Sequence, residues 1–111
     1  MVGITRGQTA RLNVVNVGAP DEGKWMVELM FFDGEGNMLA EMGIIIDGGK
    51  AAIHDLNGDD IVEREVGRLQ IRAEVMVMGD KKSCDVIPTL EIYDNETMKT
   101  EVFEMITLDP Y

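Results

Sequence analysis

Cysteine, histidine and basic side chains are scarce in this chain, and each scarcity removes a class of function. Cys84 is the only cysteine, so no disulfide can form within the chain and the fold has to hold by packing. His54 is the only histidine, which rules out a histidine-built metal cluster and leaves His54 or a carboxylate as the source of any general base. Lys and Arg total 10 against 21 Asp and Glu, and the resulting charge of -11 repels phosphate backbones and anionic membrane surfaces. Arg64, Arg68 and Arg72 are spaced by four, but Glu63, Glu65 and Glu74 sit among them, so no basic patch forms and nucleic acid is not an expected partner. No apolar run reaches the length of a membrane span, so membrane insertion is not expected either. Met1 to Arg6 does not run from a charged start into an apolar stretch, so no secretory signal is read there. A cytoplasmic address and a removed leader both stay open.

What is present is a globular composition. With 111 residues and 45% hydrophobic content, residues 1–111 are expected to form one domain with one core. Clusters rich in Gly, Asp and Asn recur at Gly18–Gly23, Asp33–Asn37, Asp47–Gly49, Asn57–Asp60, Gly79–Asp85 and Asp94–Thr97. The apolar runs between them are too short for helices and have the spacing of hairpin-built sheets. Gln8 to Val17 sets Ala10, Leu12 and Val14 against Thr9, Arg11 and Asn13, the period-two pattern of a half-buried strand. Val2 to Thr5 reads as a short edge strand before it. Lys24 to Phe32 places Trp25, Val27, Leu29 and Phe31 on one face and Met26, Met30 and Phe32 with Glu28 on the other, so both faces are mostly apolar.

Asp33-Gly34-Glu35-Gly36-Asn37 is a hairpin signal returning through Met38 to Ile46, and Asp47-Gly48-Gly49 turns into a short strand from Ala51 to Leu56. Asp59 to Gly67 reads as a loop or single turn, too short for a helix of its own. Arg68 to Met78 is the cleanest alternation, with Leu69, Ile71, Ala73, Val75 and Val77 inward, as in a central strand. Pro88 opens a strand through Tyr93, and a last strand is expected over Met98 to Leu108. The fold class is all-β: an immunoglobulin-like antiparallel β-sandwich of seven or eight strands.

No set of residues composes a catalytic site, and no catalytic residue is assigned. Asp55, Asn57 and Asp59 alternate like the start of a calcium loop, because oxygen ligands at alternate positions wrap a hard cation. The sixth position is Asp60 rather than Gly and the twelfth is not Glu, and turn chemistry explains the same residues. Calcium is the one cofactor kept open. His54 reads as a strand histidine on a solvated face. Cys84 lies beside Lys81 and Lys82, which would favour its thiolate modestly; an incidental loop cysteine is the competing reading. The glycines at 34, 36, 48 and 49 are not followed by a helix and make no phosphate loop.

Three segments resemble a known family: Gly7 to Gly18 with its Gly-Gln-Thr start, Val27-Glu28-Leu29 running to Phe32-Asp33-Gly34, and Ile46-Asp47-Gly48-Gly49-Lys50-Ala51. Together they look like the cell-adhesion-related domain found in bacteria, an immunoglobulin-like sandwich, over roughly the first half of the chain. The resemblance implies a structural or binding module rather than an enzyme, at an extracellular or cell-surface address. That family is often tandem and exported, whereas no repeat is visible here.

The nine methionines are the least ordinary feature. Met26, Met30, Met76 and Met78 fall opposite the inward stripe, and with Phe32 they form the expected contact surface, since thioethers suit adaptable apolar contacts. Cover by loops or by the last strand is the competing reading. The leading expectation is a structural or adhesive module acting by protein–protein contact, with a homo-oligomer as the expected assembly and Val2–Thr5 and Met98–Leu108 as segments for strand exchange. The alternative is a small-ligand module binding carbohydrate or calcium, with Trp25, Tyr93 and Tyr111 as aromatic platforms. An enzyme is the least supported reading, because nucleophile, base and anion hole do not converge.

Overall fold

In the computed structural model, which describes residues 2–18, 24–62, 67–78, 86–106 and 108–109, the alternating runs are strands. In chain order they are β1 (Val2–Ile4), β2 (Gln8–Asn16), β3 (Lys24–Asp33), β4 (Met38–Asp47), β5 (Ala51–Asn57), the single turn α1 (Gly58–Ile61), β6 (Leu69–Met78), β7 (Val86–Asp94), β8 (Thr100–Met105) and β9 (Leu108–Asp109). One sheet runs β1-β6-β3-β4 and the other β5-β2-β7-β8, giving a two-layered, sandwich-like, all-β architecture. Eight strands pair antiparallel, and the two-residue β9 adds parallel to β6 at Val75 and Met76. No helix among the described residues is long and apolar enough to cross a membrane.

Alternation decides the interior. Ala10, Leu12 and Val14 of β2, Leu90 and Ile92 of β7, Trp25, Val27, Leu29 and Phe31 of β3, and Ile71, Ala73 and Val75 of β6 form one contiguous buried cluster between the sheets. Each fully buried aliphatic or aromatic side chain there contributes roughly 1.5–3 kcal/mol of transfer free energy. Trp25 belongs to this core and so offers no platform to a sugar. Thr9 and Asn16 are the buried polar side chains among the described residues, and the more deeply buried is Asn16. Its Nδ2 donates to the Ile46 carbonyl of the opposite sheet at 3.0 Å and its Oδ1 accepts from Gly18 N at 3.0 Å, so both ends of the amide are satisfied.

Turn chemistry sets the strand ends. Asp33 Oδ1 accepts from Glu35 N and Asn37 N, each at 2.9 Å, and Gly36 takes φ 88°, a conformation that favours glycine. Asp94 closes the β7–β8 turn in the same way, accepting from Glu96 N and Thr97 N at 2.8 Å. These turn N–H groups, led by Asn37 for Asp33 and by Thr97 for Asp94, hold both carboxyls below the usual aspartate range. Pro88 is the third residue of β7 rather than its first, paired with Val14. Its carbonyl accepts from Ile106 N at 3.3 Å, just past the end of β8, so the missing proline N–H falls where the ladder stops.

The final run departs from the expected single strand. Met105 ends β8, and Leu108 joins β6 in the other sheet, so the chain changes layers between them. Side-chain period assigns faces within a strand and cannot by itself mark a change of layer. Cys84, Lys81, Lys82, Arg64 and Tyr111 lie outside the described residues.

Gly58, buried at the start of α1, packs against backbone: a Cβ there would lie 2.1 Å from the Thr5 carbonyl oxygen and 2.8 Å from that of Gln8. Adding one methyl (Gly58→Ala) is expected to cost about 1–3 kcal/mol as overpacking. Leu12→Ala, which opens a hole at the middle of β2, is expected to cost about 2–5 kcal/mol. Val17→Ala, on an exposed side chain just past β2, should stay within about 0.5 kcal/mol. Urea denaturation of the three variants checks the order.

Candidate interaction surface

The residues that alternate away from the core build two outer faces. On the β1-β6-β3-β4 sheet, the register sets Ile45, Met26 and Met78 in one row and Gly43, Glu28 and Met76 in the next. Glu41, Met30 and Glu74 follow, then Met38, Phe32 and Arg72, the last row passing a bulge at Phe31/Phe32. Met26, Met30, Phe32, Met76 and Met78 therefore share one face on neighbouring strands. No described strand or helix is layered over it. Met26 is 48% and Ile45 57% exposed, Phe32, Met76 and Met78 are half-buried, and Met30 is only 6% exposed. Met30 thus presents little surface. Ile45 and Met38 were missed from sequence; their cross-strand partners, Met26 and Phe32, become visible only once the β3–β4 register is known.

Charge on this face is uneven. The Arg72 guanidinium lies 4.9 Å from the Phe32 ring centroid and 3.2 Å from Glu74, which holds the one described cation of these rows at one end. Glu28 and Glu41 pair with no cation among the described residues. Gly43 stands beside Glu28 with nothing within 4 Å of where its Cβ would be, so the face is notched at that point.

The other outer face is divided. Val15, Ile53, Ile87 and Met105 gather at one end, while Arg11 at the other bonds both oxygens of Asp55 at 2.8 and 2.9 Å and lies 5.1 Å from the Tyr93 ring centroid. β8 forms the edge of this sheet. Val102 faces the same side as the fully buried Ile92 yet is exposed, so the cover of the opposing sheet ends beneath β7. Phe103 and Met105 on the other side of β8 are 60% and 65% exposed. β8 falls within the Met98–Leu108 segment expected for strand exchange, but its exposure on both faces is not legible in the sequence, because alternation reports period and not whether a second layer lies opposite.

The suggested calcium residues serve the protein itself. Asp55 is engaged by Arg11; Asn57 Oδ1 accepts from Asp59 N at 2.9 Å and from Asn95 Nδ2 at 3.1 Å; Asp59 Oδ1 accepts from Gly7 N at 2.8 Å and its Oδ2 from Asn95 Nδ2 at 3.3 Å. Arg6 Nη1 donates to the Asp59 and Val62 carbonyls, and Thr9 Oγ1 to Asn95 Oδ1, completing a polar clasp at one end of the sheets. Among the described residues no three His, Cys, Asp or Glu side chains gather as a ligand set.

His54 is corrected from a solvated to an interior-facing position. It pairs with Leu12 on the core side of β5, its ring centroid 5.3 Å from that of Phe31, with Nδ1 buried and without a partner. Leu12 fills the core side of β2, so its cross-strand partner must face the same way.

Comparison with protein families, with curated proteins and with solved structures gives no match in any of the three. The class defined by the fold is a two-layered all-β module, and its distinctive chemistry is apolar surface on outer faces and on one edge.

Burial pushes the His54 imidazole below its ordinary pKa, partly opposed by a backbone hydrogen bond with Leu29 and by the charge of Asp55. The unfolded chain therefore takes up this proton first as pH falls. The neutral ring's contribution is full above about pH 6.5 and is lost as pH drops through the lower folded value. The urea midpoint of wild type is expected to fall relative to that of His54→Gln between about pH 7.5 and about pH 5.5, above the range where Asp33 and Asp94 titrate.

Proposed function

We propose that this chain is an immunoglobulin-like sandwich of the bacterial cell-adhesion-related type, a non-enzymatic module that acts through protein–protein contact and associates with copies of itself. The resemblance of its Gly-Gln-Thr strand and glycine turns to that family supports the class. The single observation that carries the contact is β8, whose far edge has no strand partner among the described residues and whose two faces expose Val102, Phe103 and Met105.

An edge strand offers a row of N–H and C=O groups that another strand can complete, and apolar side chains on both faces gain burial when it does. A second β8 added antiparallel about a two-fold axis would join two four-stranded sheets into one and close the assembly at a dimer. β1, the other terminal strand, is the poorer donor: Ile4 is fully buried, so releasing β1 uncovers core. Glu101 and Glu104 on β8, and the charge of -11 on each copy, oppose pairing through repulsion that salt screens.

Sedimentation velocity at micromolar concentration is expected to show reversible dimers that strengthen as salt is raised. The double variant Phe103→Glu with Met105→Glu, on exposed side chains, should weaken association roughly tenfold or more while leaving the urea midpoint close to wild type. A monomer at every salt concentration, or dimers indifferent to the double variant, would refute the reading.

A further inference from the structure

Beyond self-association through β8, we infer that the methionine face of the β1-β6-β3-β4 sheet docks a basic amphipathic helix of another protein. The two surfaces lie on different sheets, so this inference stands independently of the β8 edge.

Three observations lead to that occupant. The first is chemical. Met26, Met76 and Met78 with Ile45 provide deformable apolar area, and unbranched thioethers repack around differing partner side chains. The second is charge. With Arg72 held by Glu74 and Phe32, the carboxylates of Glu28 and Glu41 are left without a cation among the described residues, and they are diagonal neighbours across β3 and β4, roughly 7–8 Å apart at Cα. The Gly43 notch lies between them, open enough for an entering lysine or arginine to reach both. The third is size. Three strands span about 10 Å, one helix diameter, and four rows of alternate residues span about 20 Å, the length of a helix of about 14 residues.

A second copy does not fit this site. The described chain has one helical turn, Gly58–Ile61, carrying Asp59 and Asp60 in its first turn, and its overall charge has the same sign as the face. An acidic partner would be repelled and a purely basic one would leave the thioethers wet. An apolar stripe flanked by lysine or arginine meets both demands, as in helix-in-groove recognition.

The probe is a synthetic amphipathic helix of leucine and lysine, titrated into the full chain by calorimetry and followed by the methionine methyl resonances. Binding is expected with shifts at Met26, Met76 and Met78 and not at Met42, which faces the core, and with affinity falling as salt rises, opposite in sign to β8 pairing. Gly43→Leu fills the notch without strain, because no atom lies within 4 Å and the backbone there is ordinary, so it should melt no lower than wild type yet bind at least tenfold more weakly. Glu28→Gln with Glu41→Gln should lose binding similarly, and Phe103→Glu with Met105→Glu should bind like wild type. Equal affinity for a lysine and serine peptide, no binding of the leucine and lysine helix, or affinity unchanged by Gly43→Leu would overturn the inference.

Discussion

Closure of one apolar face of each sheet against the other is the constraint on which the rest of the structure depends. With no disulfide available within the chain, the free energy of ordering the backbone has to be offset chiefly by the stripe through Leu12, Leu29, Phe31, Ile71, Val75, Leu90 and Ile92. That stripe fixes register, because sliding any strand by one residue would turn its apolar set to water. It also fixes His54. Paired with Leu12, the ring is carried inward, where desolvation favours its neutral form.

Once the inward positions are assigned, the outward ones are free to serve other ends, and the two sheets use them differently. The β5-β2-β7-β8 face ties part of its surface together with Arg11, Asp55 and Tyr93, an exposed arrangement worth little in stability. Among the described residues, no strand or helix is layered over the thioethers of the β1-β6-β3-β4 face, and no cation pairs with its Glu28 and Glu41. Met30 lies on the outward side of β3 and is still only 6% exposed, so outward direction and accessibility are separate properties.

Polar side chains hold the ends rather than the middle. Asn16 bonds across the layers to Ile46, and Asn57, Asp59, Asn95, Arg6 and Thr9 draw the β1–β2, β5–α1 and β7–β8 connections together. Residues spaced like ligands for a cation are here acceptors, Asp55 for the Arg11 guanidinium and Asn57 and Asp59 for backbone and amide N–H groups, with Asn57 capping α1. Gly7 and Asn95, which supply some of these N–H groups, are brought in from far along the chain, so local sequence spacing does not show the contacts.

The start of β7 and the division of the last run into β8 and β9 were not legible in the sequence. The strand positions from β1 to β6, the inward stripe of β2, β3 and β6, the hairpin at Asp33–Asn37 and the common face of Met26, Met30, Phe32, Met76 and Met78 were legible from alternation and turn residues. Those are local properties: period two assigns each side chain a face, and glycine, aspartate and asparagine mark where the chain reverses. Which face of which strand meets another layer was decided only by the tertiary structure. Long-range pairing turned His54 inward, left β8 without cover and carried Leu108 into the opposite sheet, because the environment of a face depends on segments distant in sequence.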